Sequence, residues 1–166
     1  GKVVDLVMGT FSKACGAFGA YVACSESIYD YILNRCSGVL YSPALPPAIL
    51  GSIEAALELI PTLVKERSRL QDHGKWLRQT LGDQGWNTGG STTQIVPVLV
   101  GSSERALELA RWLESNGLLV AAVRPPTVAE GKARLRVCLS AAHARHQVEK
   151  LAELLGCWRE RSRGED

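Results

Sequence analysis

The chain has 166 residues, of which 46% are hydrophobic and 22% charged, and its formal net charge is +2. This is the composition of an ordinary globular protein with a sizeable core, in one domain or two small ones. So small a charge gives no reason to expect nucleic acid as a partner, the apolar runs break well short of a membrane span, and the first residues do not form a signal-peptide pattern. Five cysteines (Cys15, Cys24, Cys36, Cys138 and Cys157) make an odd set without C-x-x-C spacing, which fits a reducing cytoplasm better than a disulfide framework.

Gly1-Lys2 leads directly into an apolar stretch from Val3 to Met8, and a second runs from Ala20 to Ala23. Both are predicted strands, with Gly16 and Gly19 permitting a tight return between them. Buried strands need neighbours that this half of the chain does not supply, so the sequence is expected to begin inside a larger fold. A helix is predicted from Ser25 to about Asn34, with Ser25 or Ser27 as N-cap, followed by a short extended piece at Val39–Ser42. Pro47 suits the first turn of a helix from about Ala48 to Ile60, and Pro61 divides it from another running from Leu63 to about Leu81. A Gly, Asn, Ser and Thr cluster from Gly82 to Thr93 reads as a loop.

The remaining elements follow as strand Gln94–Val100, helix Ser103–Ser115, strand Leu118–Val123, strand Ala133–Leu139 and helix Ala144–Leu155. Ser102 or Ser103 is placed to cap the first of these helices and Gly117 to stop it. Gly131 lies in the turn of a predicted hairpin. Together they predict a compact α+β unit, a small sheet with helices on one face, ending in a polar, frayed tail from Arg159.

The run Asp5-Leu-Val-Met-Gly-Thr10-Phe-Ser-Lys13-Ala-Cys-Gly16-Ala-Phe-Gly19 carries the first chemical signal. A lysine held between buried strands is costly to desolvate, and burial favours its neutral, nucleophilic amine. Such an amine condenses with an aldehyde, pyridoxal 5'-phosphate (PLP) being the commonest partner, and the Thr10 hydroxyl is placed to meet a phosphate. The bland alternative is a lysine at a strand end that points into water, since Thr-x-x-Lys alone is a short motif.

The second signal is Arg124-Pro-Pro-Thr127-Val-Ala-Glu-Gly131-Lys-Ala-Arg134-Leu-Arg136. Strand geometry puts Arg134 and Arg136 on one face and Leu135, Val137 and Leu139 on the other. Paired guanidiniums beside a Pro-Pro turn are suited to a carboxylate or phosphate, while the plainer reading is a solvent-facing pair. His143 and His146 fall near one helical face but lack an evident third metal ligand, so no metal site is expected. His73 reads as a surface residue, and Gly16-Ala-Phe-Gly19 is not a dinucleotide fingerprint.

Taken in order and spacing, these runs resemble the α-oxoamine synthases, PLP enzymes of fold type I. Gly9-Thr-Phe-Ser-Lys13-Ala-Cys-Gly16-Ala-Phe-Gly19-Ala resembles their Schiff-base segment. Arg124-Pro-Pro-Thr-Val with Gly131-Lys-Ala-Arg-Leu-Arg136 and Ser140-Ala-Ala-His143 resembles the C-terminal signature of the branch that makes 8-amino-7-oxononanoate for biotin. Tyr41-Ser-Pro-Ala-Leu-Pro-Pro47 is similar to the loop between them.

The resemblance implies an α/β fold: the C-terminal part of a fold type I transferase. Residues 1–45 would belong to the large PLP-binding domain, 46–90 to interdomain helices and 91–166 to a small α+β domain. It further implies that Lys13 binds PLP and removes the substrate Cα proton, that Thr10 and Ser42 bind cofactor phosphate, that Thr127 lines the substrate pocket and that Arg136 grips the α-carboxylate. Pro43 stands where the family commonly has a second hydroxyl, which leaves that duty to Ser42 alone. The substrates would be L-alanine and a pimeloyl thioester, of CoA or acyl-carrier protein, in a cytoplasmic homodimer with neither nucleic acid nor membrane as partner.

The family's ring-stacking group, pyridine aspartate and glycine-rich phosphate turn precede the lysine segment. The chain is therefore expected to be part of a longer enzyme and to have little or no synthase activity alone. Two other readings are a glycine-using relative such as 2-amino-3-ketobutyrate CoA ligase, and a non-catalytic fragment or partner subunit that donates Arg136.

Overall fold

A computed structural model describes residues 4–163 of the chain. Val3 of the first predicted strand and 164–166 of the polar tail lie outside the described residues. The chain divides into two compact units, Gly1–Leu63 and Val64–Asp166.

In the first unit, β1 (Leu6–Thr10) pairs antiparallel with β2 (Ala20–Cys24), Thr10 opposite Ala20 and Leu6 opposite Cys24. α1 (Glu26–Arg35) starts after Ser25, and α2 (Ser37–Leu40) follows immediately. α3 (Pro47–Leu59) has its proline in the first turn, as expected from its missing N–H, and runs into a 3-10 turn at Ile60–Thr62 that contains Pro61.

Two expectations fail here. Val39 and Leu40 are helical rather than extended, because their N–H groups both donate to the Cys36 carbonyl. The strands are also not buried: Leu6, Val7, Met8, Tyr21 and Val22 are all exposed, and among the described residues of this unit only Ala17 and Ile53 are buried. The apolar runs have strand propensity, but nothing within the unit covers their faces.

The second unit contains α4 (Val64–Asp83), β3 (Ile95–Gly101), α5 (Ser103–Ser115), β4 (Ala121–Val123), β5 (Ala133–Cys138) and α6 (Arg145–Arg163). The sheet order is β3-β5-β4 and both pairings are antiparallel. On β5, Ala133, Leu135 and Val137 are buried while Arg136 and Cys138 are exposed, so one sheet face is sealed and the other open. Val96, Val98, Leu135 and Val137 meet Leu77 and Leu81 of α4, Leu109 and Leu113 of α5, and Leu151 and Leu155 of α6 in one core. Each fully buried leucine of this set contributes about 1.5–3 kcal/mol relative to exposure.

The ends of α5 follow the sequence closely. Ser102 Oγ accepts from the Arg105 N–H at 3.2 Å, and Gly117, with φ of 80°, takes the left-handed turn that stops the helix.

Three other readings are corrected in this unit. His73 is buried, 6% exposed, because it lies one turn before Leu77 on the stripe of α4 that faces the core. β4 begins at Ala121 rather than Leu118, whose N–H instead donates to the Leu113 carbonyl and completes the end of α5. α6 continues to Arg163 instead of fraying at Arg159. The Trp158 ring packs at 5.4 Å from Trp112, and the Arg159 guanidinium lies 4.8 Å from the Trp86 ring centre, which anchors the last turns.

Candidate functional site

Lys13 sits in the loop 11–19 that joins β1 to β2. The Phe11 N–H donates to the Gly19 carbonyl at 3.0 Å and the Ala17 N–H returns to the Phe11 carbonyl at 3.0 Å, which closes the loop at its base. The Gly16 N–H donates to the Lys13 carbonyl at 3.1 Å, so the lysine backbone is held in a tight turn. That turn requires Gly16 at φ of 60°, a left-handed conformation that glycine adopts without cost. Tyr21 lies against Gly9, where a Cβ would overlap its ring, and the same ring packs at 5.3 Å from Phe11. The strand ends are thus braced by aromatic contact, while the Lys13 side chain is exposed rather than buried as its flanking strands suggested.

Thr10 is the last residue of β1, three residues before Lys13, and its side chain is also exposed. Ser42 follows α2 in an irregular segment and is exposed as well. Leu45, three residues after Ser42, brings this segment against the lysine loop: a Cβ at Gly19 would sit 3.0 Å from Leu45 Cδ1. The first unit therefore gathers the hairpin of Thr10 and Lys13 and the segment of Ser42 around one packed contact.

Arg136 and Thr127 belong to the second unit. Arg136 occupies the open sheet face of β5, opposite Pro97 on β3 and Ala121 on β4. Its Nε donates to Cys138 Sγ at 3.3 Å, and Arg134 Nε donates to the Lys132 carbonyl at 3.0 Å. Among the described residues no carboxylate forms an ion pair with Arg136. Arg136 also lines a cleft of about 670 Å³ walled by Leu118–Ala121, β5 and the start of α6. Thr127 stands beyond a cis Pro125-Pro126 bond, its N–H donating to the Arg124 carbonyl at 3.1 Å, beside a second hollow of about 420 Å³.

His143 has a local duty that its spacing did not reveal. Its Nδ1 accepts the Ser140 N–H at 3.0 Å, fixing the turn before α6 and leaving the proton of the neutral ring on Nε2. Sequence reasoning likewise missed the Arg136–Cys138 bond, although residues two apart on a strand share a face.

The family model for aminotransferase class I and II matches residues 1–155. The chain belongs to that family. Within it, the chain is 54% identical over 159 residues to a putative 8-amino-7-oxononanoate synthase of Desulfosudis oleivorans, covering 96% of this chain and 41% of that protein. It is 55% identical over 152 residues to the 8-amino-7-oxononanoate synthase of Gluconacetobacter diazotrophicus, covering 92% and 38%. Among solved structures, a serine palmitoyltransferase variant from S. paucimobilis with a bound PLP–myriocin aldimine superposes with a TM-score of 0.87 at 25% identity, covering 98% of this chain and 41% of that one. The chain spans about two fifths of the length of the curated relatives it matches. Its fold is the corresponding portion of the PLP-dependent fold type I.

Proposed function

We propose that this chain is part of a PLP-dependent 8-amino-7-oxononanoate synthase. The polypeptide containing it condenses L-alanine with a pimeloyl thioester. A bond forms between the alanine Cα and the acyl carbon, the thiol leaves, and CO2 is lost. The observation that carries this reading is the 54% identity to a relative of that name over 159 residues, a span that includes both the lysine hairpin and the arginine strand.

The residues present fit the cofactor. Lys13 offers an accessible primary amine for an aldehyde carbon, and Thr10, on the same hairpin, offers an exposed hydroxyl to the phosphate, while the exposed Ser42 hydroxyl is available to a second one. PLP, when bound, supplies the electron sink for the carbanion at the substrate Cα. Lys13 Nζ would hold the cofactor, and the same exposed amine is suited to take the substrate Cα proton as general base. Thr10 Oγ1 would donate to the cofactor phosphate, and Ser42 Oγ would do so for the cofactor of the neighbouring subunit of a homodimer. Arg136 binds the α-carboxylate through a fork that no carboxylate among the described residues occupies, and Thr127 borders the substrate.

The test is an assay of the full-length polypeptide with L-alanine or glycine, and with pimeloyl-CoA or pimeloyl-acyl-carrier protein, the amino ketone being identified by mass. Formation of 8-amino-7-oxononanoate from alanine is expected. Turnover of glycine with a short acyl-CoA in its place would overturn the assignment.

A further inference from the structure

We propose that Cys138 is a positioning residue for Arg136, holding the guanidinium so that it meets a carboxylate end-on through its two terminal nitrogens. The inference rests on the reading of Arg136 as the carboxylate-binding residue. Arg136 and Cys138 lie two apart on β5 and share the open face of the sheet. The Arg136 Nε–H is directed forward along its own strand to Cys138 Sγ at 3.3 Å, a distance suited to the larger sulfur atom.

Among the described residues the Arg136 side chain makes no other hydrogen bond and no ion pair. Its cross-strand neighbours, Pro97 and Ala121, have no side-chain acceptor. No carboxylate pairs with it among the described residues. An arginine can bind a carboxylate side-on, through Nε and one terminal nitrogen, or end-on, through both terminal nitrogens. Committing Nε to the thiol removes the first mode and fixes the plane of the second. Such a fork is organised before the ligand arrives, so less rotamer freedom is lost on binding. Arg134 shows the same arrangement in mirror sense, its Nε tied to the Lys132 carbonyl.

Cys138 is exposed and outside the packed core, so its side chain can be changed without creating a cavity. Cys138→Ala removes the acceptor, and Cys138→Ser restores one. In the full-length enzyme, Cys138→Ala is expected to raise KM for the amino acid roughly two- to tenfold with kcat little changed, the loss of one modest hydrogen bond. Cys138→Ser should return KM towards that of the native enzyme, and the unfolding midpoints of all three should coincide.

An independent readout uses the same full-length enzyme with nitrogen-15-labelled arginine. By nitrogen-15 NMR, the Arg136 Nε proton should exchange with solvent more slowly in the native and serine forms than in the alanine form. Equal exchange in all three, or an equal rise in KM for the serine and alanine variants, would overturn the proposal. If the enzyme does not use alanine at all but the exchange pattern holds, the functional assignment fails and the positioning role stands.

Discussion

Leu45 closes on Gly19: at a φ of 114°, Gly19 turns its backbone so that a Cβ would stand 3.0 Å from Leu45 Cδ1. This contact joins the loop that presents Lys13 to the segment that follows Ser42. Gly19→Ala meets both a backbone conformation foreign to L-residues and a crowded neighbour. It is expected to destabilise the first unit by about 1–3 kcal/mol. The measurement is the urea midpoint of tyrosine fluorescence, and an unchanged midpoint would show that the loop yields freely.

Lys13→Ala tests the covalent role directly. Incubation of the full-length polypeptide with PLP followed by borohydride should attach a reduced pyridoxyl group to Lys13, located by peptide mass mapping, and the variant should give none. Synthase activity should fall by on the order of 10²–10⁴-fold, the range for loss of a general base. Labelling elsewhere with Lys13 unmodified would exclude it as the cofactor lysine.

Arg136→Lys keeps a positive charge but replaces a planar fork with a point charge. A charge-assisted hydrogen bond is worth roughly 1.5–3 kcal/mol, so KM for the amino acid should rise about ten- to hundredfold. Steady-state kinetics at fixed acyl thioester checks this, and an unchanged KM would remove Arg136 from carboxylate binding.

Leu135→Ala probes the core. Leu135 is fully buried on the central strand, opposite Val98 and Ala122, with the α5 leucines in the same cluster. The cavity should cost about 2–5 kcal/mol in the second unit, read as a lowered urea midpoint of tryptophan emission. Ser102→Ala, which removes only the cap of α5, should cost about 1 kcal/mol in the same measurement.

The second unit was legible because its signals are local and agree with one another. The alternation of Ala133–Cys138 placed the arginines on the open face correctly, and α5 runs from Ser103 to Ser115 as its cap and glycine stop predicted. Failures arose where a short apolar run fits either period, as at Val39–Leu40, or where distant residues decide. Nothing local at Arg159 indicates that it reaches Trp86, and nothing in the charged helix α4 marks His73 as core-facing unless the stripe through Leu77 is traced. The chemistry was legible at the level of residue type. Lys13, Thr10 and Arg136 stood out by motif, but the exposure of Lys13 and the thiol contact of Arg136 depend on side-chain placement that no spacing encodes.

The aromatic packing that anchors α6 belongs to a wider segregation along the chain. All four tryptophans, Trp76, Trp86, Trp112 and Trp158, lie in the second unit, and all four tyrosines, Tyr21, Tyr29, Tyr31 and Tyr41, lie in the first. These 166 residues therefore carry two built-in optical reporters. Excitation at the red edge reads the arginine-bearing unit alone, and the tyrosine contribution reads the lysine-bearing one. Denaturant titrations followed at both signals will show, without any label, whether the two halves of the chemistry unfold together or one after the other.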